Sequence, residues 1–192
     1  MNAPSTSAEE VGEVYGLWHR GVALLTREFS LLSAEHRDEL GALLIEVGDF
    51  KEELCRLSDA AEGAAICSAC GGACCRAGRY HATLLDLLAF LAAGEAPVEP
   101  EFAPGACPFL GSEGCRIVPR RRRPFTCVIF ICDLIDERLA ADESTCFNRR
   151  EQDLRLLLNR AGMRFGRNLT ESLLIATARN DRDGGSLLVL ND

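Results

Sequence analysis

The stretch Cys67-Ser-Ala-Cys70-Gly-Gly-Ala-Cys74-Cys75 places four thiols within nine residues, with only small residues between them. A hydrophobic core does not require such a pattern. A metal centre does, because small residues allow the backbone to wrap tightly and bring several sulfurs to one point. The stretch therefore predicts a metal site, and we expect the rest of the chain to be organised around it.

A second cysteine block lies downstream, between residues 107 and 132. It contains Cys107 in Cys107-Pro-Phe-Leu, then Cys115, then Cys127 after Arg123-Pro-Phe-Thr, and finally Cys132. A zinc ion or a cubane iron-sulfur cluster takes at most four thiolates. The two blocks therefore suit two centres, or one centre with additional thiols. The predicted metal ligands are Cys67, Cys70, Cys74, Cys75, Cys107, Cys115, Cys127 and Cys132.

The composition narrows the class of protein. The chain has 192 residues, and its hydrophobic fraction of 47% is enough for a core. Its net charge of -8 argues against nucleic acid as a partner. The first residues lack the pattern of a signal peptide, and the apolar stretch 84–93 is too short to span a bilayer. We therefore expect a cytoplasmic protein with no membrane contact. In that compartment clustered cysteines bind metals more often than they form disulfides.

Arginines near both cysteine blocks can balance the negative charge of a thiolate cluster. Arg76 and Arg79 follow the first block, and Arg123 closes the arginine run 120–123 in the second. We predict that these three arginines contact the cofactor. For the run itself, a solvated loop is an equal alternative and a phosphate or RNA site a weaker one. His81, near the first block, is predicted to orient or cap rather than to ligate.

Apolar residues at helical spacing predict helices before the first block. One apolar stripe covers 11–29 and a second covers 40–57, which indicates two antiparallel helices joined near 30–33. Ser33 can cap the second helix. Cys55, beside the apolar face of that helix, is predicted to be a small buried hydrophobe rather than a ligand.

Further elements are predicted between and after the blocks. Thr83 with Asp86 resembles a helix start, and the apolar helix that follows should be buried and should end at Gly94. The apolar segment 128–131 fits either a short buried strand or a helical turn. The later predictions are helices over about 148–160 and from 168 or 170 to 178, a turn at 181–185, and a strand or docked tail at 186–190.

These elements predict a mainly α protein, a helical bundle packed around a cysteine-rich, loop-dominated metal-binding knot with little strand. The expected parts are an N-terminal helical hairpin over 1–62, a cysteine-cluster core over 63–135, and C-terminal helices with a tail over 136–192. We expect the three parts to pack as one globular unit. Cys146 in the last part could close a metal site or be buried.

The order of the motifs, from Cys67-x2-Cys70-x3-Cys74-Cys75 to Cys107-Pro-Phe-Leu, Cys115 and Arg123-Pro with Cys127, resembles the bacterial and archaeal cysteine-cluster family. Members of that family are described as zinc- or iron-chelating domains, or loosely as Fe-S oxidoreductases. The resemblance covers 67–132. This chain departs from the family pattern in three places: Cys115-Arg-Ile-Val lacks the usual tyrosine, Val128 replaces the arginine after the late cysteine, and the segment between Cys115 and Arg123 is slightly longer.

The residues and the resemblance together favour a metal-binding protein that holds an iron-sulfur cluster, or failing that zinc. Its expected function is electron transfer, redox sensing or delivery to an unidentified protein or redox partner. Two alternatives stay open. One is a cluster-dependent enzyme of oxidoreductase or methyl-transfer type with an open metal position, since similar cysteine blocks occur in a flagellin lysine methylase. The other is a zinc-stabilised module that binds another protein.

Overall fold

The computed structural model describes residues 8–70, 78–103, 105–112, 114–165 and 169–188. In these residues the chain is mainly helical, which confirms the predicted fold class at this level, and it contains one two-stranded sheet. The helices are α1 (Ala8–Leu31), α2 (Ala34–Ala60), α3 (Gly63–Ala69), α4 (Leu84–Ala92), α5 (Phe125–Ile129), α6 (Asp133–Asp136), α7 (Ala141–Phe165) and α8 (Leu173–Asp183).

The first two helices meet at the predicted junction. The Ser33 hydroxyl accepts a hydrogen bond from the His36 backbone N–H at 3.1 Å, and this bond caps α2. Helix α1 then packs chiefly on α8, whereas α2 packs on α7 and, to the same extent, on the short 3₁₀ helix Arg120–Arg122. The main partners of the two helices are therefore other elements, and not each other as the predicted antiparallel pairing implied. The division of the chain at residues 62 and 135 stays a prediction.

Helix α4 is buried, as its apolar sequence predicts. Thr83 and Asp86 form the expected capping box: the Asp86 N–H donates to the Thr83 hydroxyl, and the Asp86 carboxylate accepts from the Thr83 N–H. The helix ends at Ala92, and Gly94 follows with a φ of +69°, a conformation that favours glycine. Because both ends are defined locally, sequence reasoning was sufficient to find this helix.

One charged contact in the interior joins three helices. The Lys51 Nζ of α2 donates to the Asp86 Oδ1 at 2.8 Å, and their side chains are only 2% and 3% exposed. The same carboxylate accepts hydrogen bonds from the Thr83 hydroxyl at 2.7 Å and from the Phe125 backbone N–H at 3.2 Å. The carboxylate of Asp86 thus joins α2, the start of α4 and the start of α5.

The predicted turn between Cys107 and Cys115 is part of a small hairpin. Strand β1 (Leu110–Gly111) pairs antiparallel with β2 (Gly114–Cys115), and Leu110 lies opposite Cys115. The Arg116 N–H donates to the Phe109 carbonyl at 2.8 Å and extends the pairing beyond β2. The hairpin therefore holds Cys115 at a fixed register relative to the segment that follows Cys107.

The apolar segment 128–131 is helical at its start, so the strand interpretation is wrong and the helical turn is correct. Helix α5 runs from Phe125 to Ile129. Its first residue follows Pro124, whose fixed φ suits a helix start, and the Phe125 N–H is satisfied by the Asp86 carboxylate. These contacts favour a turn of helix over a strand, which would need a neighbouring strand.

The C-terminal helices differ from their predicted bounds: α7 is longer, and α8 begins later, at Leu173 rather than at 168 or 170, and ends later than 178. Helix α7 begins at Ala141 rather than near 148, because the Glu143 carboxylate accepts from the Ala140 N–H at 3.0 Å and acidic residues suit a helix N-terminus. Helix α8 continues to Asp183, so the turn predicted at 181–185 starts only at Gly184, which has a φ of +71°.

After α8 the chain forms a docked tail rather than a strand over the described residues 186–188. Leu187 is buried, and its N–H donates to the Glu28 carboxylate of α1 at 2.9 Å. The Leu188 N–H donates to the same carboxylate at 2.8 Å. Within the described ranges, no helix is both long and apolar enough to cross a lipid bilayer.

We expect Lys51→Met to reduce the free energy of unfolding by about 3–5 kcal/mol, because it leaves the buried Asp86 carboxylate without its countercharge. Chemical denaturation followed by circular dichroism measures this change. The matched control is Arg20→Met, which breaks an ion pair with Asp181 whose side chains are 57% and 41% exposed. This control should cost less than about 1 kcal/mol. Equal small losses in both variants would show that the buried pair is not a structural anchor.

Candidate metal centre

Six of the eight predicted cysteine ligands lie in the described residues, on five separate pieces of structure. Helix α3 packs against β2 and α6, so three of these pieces meet. Cys67 lies on α3 and Cys70 at its C-cap, Cys107 precedes β1, Cys115 lies in β2, Cys127 in α5, and Cys132 at the N-cap of α6. Cys74, Cys75 and Arg76 lie outside the described residues.

The thiols of Cys107, Cys115 and Cys127 act on one another electrostatically. Burial raises the pKa of Cys127 well above its ordinary value, and the neighbouring Cys107 and Cys115 raise it further. Burial is also the main reason why the pKa of Cys115 is raised, with Cys107 adding to the shift. Burial thus favours the protonated form of Cys115 and Cys127, and a bound metal ion is the kind of charge that would convert them to thiolates.

Cysteines from both blocks line one cavity of about 270 Å³. Cys67 comes from the first block, and Cys127 and Cys132 come from the second. Much of the remaining lining is apolar, and the Phe130 side chain is 58% exposed beside it. Its lining residues are Cys67, His81, Thr126, Cys127, Phe130, Cys132 and Ile135.

The described side chains do not by themselves form a finished metal site. Across the part of the chain that the structure describes, no group of three or more His, Cys, Asp or Glu residues is arranged to hold a metal ion. The predicted ligands Cys74 and Cys75 fall outside that part. The ligand assignment therefore stays a prediction: Cys67, Cys127 and Cys132 line one cavity, and Cys107 and Cys115 lie close enough to Cys127 to raise its pKa.

His81 contacts the cysteine group directly. Its Nδ1 lies 3.2 Å from the Cys127 Sγ, and the side chain is half-buried. Burial lowers the pKa of His81, while the negative charge of Asp86 acts in the opposite direction. The backbone N–H of His81 donates to the Gly78 carbonyl at 3.1 Å. His81 itself lies two residues before Thr83, the N-cap of α4. The imidazole is therefore held by a well-defined backbone segment.

Gly78 allows a close backbone approach to Cys107. A Cβ built on Gly78 would lie 2.9 Å from the Cys107 Sγ and 3.2 Å from its Cα. The first distance is shorter than the usual separation of a non-bonded carbon and sulfur, and the second is shorter than that of two non-bonded carbons. The Cys107 Cα belongs to the backbone and cannot move aside as the end of a flexible side chain can. Glycine is therefore required at this position if Cys107 is to keep its place.

The predicted charge-balancing arginines differ in their surroundings. The positive charge of Arg123 lowers the pKa of both Cys115 and Cys127, as expected for an arginine that balances thiolates. The guanidinium of Arg79 lies over the Tyr80 ring, 4.8 Å from its centroid, and its residue is exposed. Of the two predicted arginines that the structure describes, Arg123 thus acts on the cysteine group, and Arg116 also lowers the pKa of Cys115.

The arginine run 120–123 is not simply a solvated loop. Arg120 forms an ion pair with Asp59 of α2. Arg122 donates to the Ala89 carbonyl near the end of α4, where a positive charge suits the helix dipole. The run therefore connects the second cysteine block to α2 and α4.

Two further cysteines lie apart from the cavity. Cys55 is 6% exposed within the core packing of α2, which confirms that it is a buried hydrophobe. Cys146 on α7 is half-buried and packs against the same core. The structure thus provides two natural controls for substitutions in the candidate metal centre.

Comparison of the chain with protein-family models, with curated proteins and with solved structures finds no match. The resemblance to the cysteine-cluster family therefore rests on the motifs alone. What the fold and the candidate centre define is a mainly helical protein with cysteines from two distant blocks around one cavity.

We expect Gly78→Ala to weaken metal binding, because the new methyl group would displace Cys107. Metal retained after competition with a chelator measures the effect, which should be at least tenfold in apparent affinity if Cys107 is a ligand. Gly41→Ala on α2 is the control, since a Cβ there meets no atom within 4 Å. Equal metal retention by Gly78→Ala and wild type would remove Cys107 from the ligand set.

Proposed function

We propose that the protein binds a metal centre through its clustered cysteines, and that this centre is an iron-sulfur cluster or, failing that, zinc. The observation that carries the proposal is the cavity at which Cys67 meets Cys127 and Cys132. Three cysteines from two distant blocks line this cavity, and cysteine thiolates are the soft ligands that zinc and iron-sulfur clusters prefer. The ligand pool in the proposal is Cys67, Cys70, Cys74, Cys75, Cys107, Cys115, Cys127 and Cys132.

The chemistry of the donor set fits this group. Thiolates are the preferred ligands of iron-sulfur clusters and of structural zinc. The raised pKa of Cys127 and Cys115 means that a cation is needed to hold them as thiolates, and Arg123 contributes part of the charge balance. In the proposal Cys74 and Cys75 complete the donors, because the described residues do not include a full set.

The cavity has room for a cluster as well as for a single ion. A tetrahedral zinc ion is enclosed directly by its four ligands, so it needs little space of its own. A volume of about 270 Å³ beside the thiols leaves room for several iron atoms and bridging sulfides. When bound, such a cluster supplies one-electron chemistry, which suits electron transfer, redox sensing or delivery to a protein partner. Membership of the cysteine-cluster family is part of this proposal.

The same cavity is also the observation that favours a cluster-dependent enzyme as the second candidate. Phe130 and Ile135 give its lining an apolar character, and small-molecule sites are typically apolar with a few convergent polar groups. In that function the cluster would keep one position open toward the cavity. A zinc-stabilised interaction module would instead need a closed, redox-inactive site.

Metal analysis of protein purified without oxygen separates these functions. We expect iron with a matching amount of acid-labile sulfide, and a brown colour that bleaches on reduction with dithionite. Stoichiometric zinc in a colourless sample would favour the interaction module. A sample with neither metal would contradict the proposal.

We expect Cys67→Ser and Cys127→Ser each to lower the metal affinity by more than about tenfold. Replacing a group that only hydrogen-bonds to a metal ligand already lowers metal affinity by about 10–100-fold, and the loss of a ligand should cost at least as much. Both variants should also melt at a lower temperature than the loaded wild type, because metal binding couples to folding. Cys55→Ser and Cys146→Ser are controls for thiol loss elsewhere and should keep full metal. If all four variants bind metal equally, the two blocks do not share a centre.

A further inference from the structure

We propose that His81 acts as a hydrogen-bond donor to the metal-bound sulfur of Cys127, and that it is a positioning residue and not a metal ligand. This inference rests on the proposed metal centre and extends it to a residue outside the cysteine motifs. It starts from a single contact, the 3.2 Å separation of the His81 Nδ1 and the Cys127 Sγ.

The 3.2 Å contact has the length of a hydrogen bond to sulfur. Either partner can carry the proton in such a contact, because the imidazole has two tautomers and a protonated cysteine is itself a donor. A metal-bound cysteine sulfur is a thiolate and has no proton to donate. Once Cys127 binds the metal, the donor in this contact is therefore the Nδ1–H group of His81.

The surrounding structure holds both partners of this contact. His81 lies between the hydrogen bond to Gly78 and the capping box at Thr83. Cys127 lies on α5, whose first N–H binds the Asp86 carboxylate of the same capping box. Because both residues are tied to one short segment, their separation is fixed by backbone contacts rather than by the flexibility of either side chain.

The hydrogen bond affects the metal centre because a thiolate sulfur carries negative charge. A donated hydrogen bond withdraws electron density from the Cys127 sulfur. In an iron-sulfur cluster this stabilises the reduced state, which carries one more negative charge, and so raises the reduction potential. In a zinc site it would make the same sulfur a weaker nucleophile.

The first test is direct detection of the His81 proton. Wild-type protein labelled with ¹⁵N-histidine and loaded with zinc alone is measured by long-range ¹H–¹⁵N NMR, and the His81 signals are assigned by their loss in His81→Leu. We expect a protonated Nδ1 and an unprotonated Nε2. A metal-bound Nδ1, or a proton on Nε2 with Nδ1 bare, would overturn the inference. Because the measurement is made on the wild type, it stands even if His81→Leu folds poorly, provided that His19 and His36 are assigned by substitution instead.

The second test uses the anaerobically prepared protein if it carries iron. His81→Leu removes the donor, whereas His81→Asn keeps an N–H near the position of Nδ1. At the wild-type midpoint potential, we expect His81→Leu to lower the ratio of reduced to oxidised cluster by up to about tenfold, which is about 59 mV for a one-electron couple. His81→Asn should recover part of the shift. An unchanged potential in His81→Leu with full metal content would contradict the inference.

The two proposals fail in different ways. A wild-type protein that binds no metal refutes the metal centre, and the inference falls with it. A protein that binds metal with a bare or metal-bound Nδ1 at His81 keeps the metal centre and loses only the inference. Loss of metal in His81→Leu and in His81→Asn alike would point to ligation by His81, which also counts against donation.

Discussion

The contact between Lys51 and Asp86 is the constraint on which the rest of the interior depends. Both side chains are nearly inaccessible, and bringing two charges out of water costs several kcal/mol per ion unless further hydrogen bonds satisfy them. Here the carboxylate also accepts from Thr83 and from the Phe125 N–H. Since each of these donors belongs to a different part of the chain, the carboxylate fixes where α4 and α5 begin relative to α2.

This constraint matters because the cysteines lie on elements that cannot be stable alone. Helices α3, α5 and α6 have seven, five and four residues, far fewer than an isolated helix needs in water. Their positions come from the long helices, from the Asp86 network and from Arg120 and Arg122, which connect the second block to α2 and α4. A metal centre built on such short elements would add directly to the stability of this end of the molecule.

The sequence predicts what is determined locally and misses what is determined by distant contacts. The Ser33 cap and the start of α4 were found because their signals lie within four residues. The partner of α1, the approach of Gly78 to Cys107 and the buried ion pair were not found, because each joins segments far apart in sequence. A signal for the ion pair did exist: Asp86 interrupts an apolar helix, and the only lysine lies on the apolar stripe of α2. A buried charge needs a partner, and these two residues were the natural candidates.

Among the predicted ligands, Cys127 is the one most strongly shaped by its surroundings. It takes part both in the cavity with Cys67 and Cys132 and in the group of interacting thiols with Cys107 and Cys115. Burial and these neighbours keep it protonated, whereas Arg123 favours the thiolate. A neutral thiol can be buried without a countercharge, so the helices can fold around Cys127 before any metal arrives. Metal binding would then exchange the thiol proton for a cation at a position that the protein has already arranged.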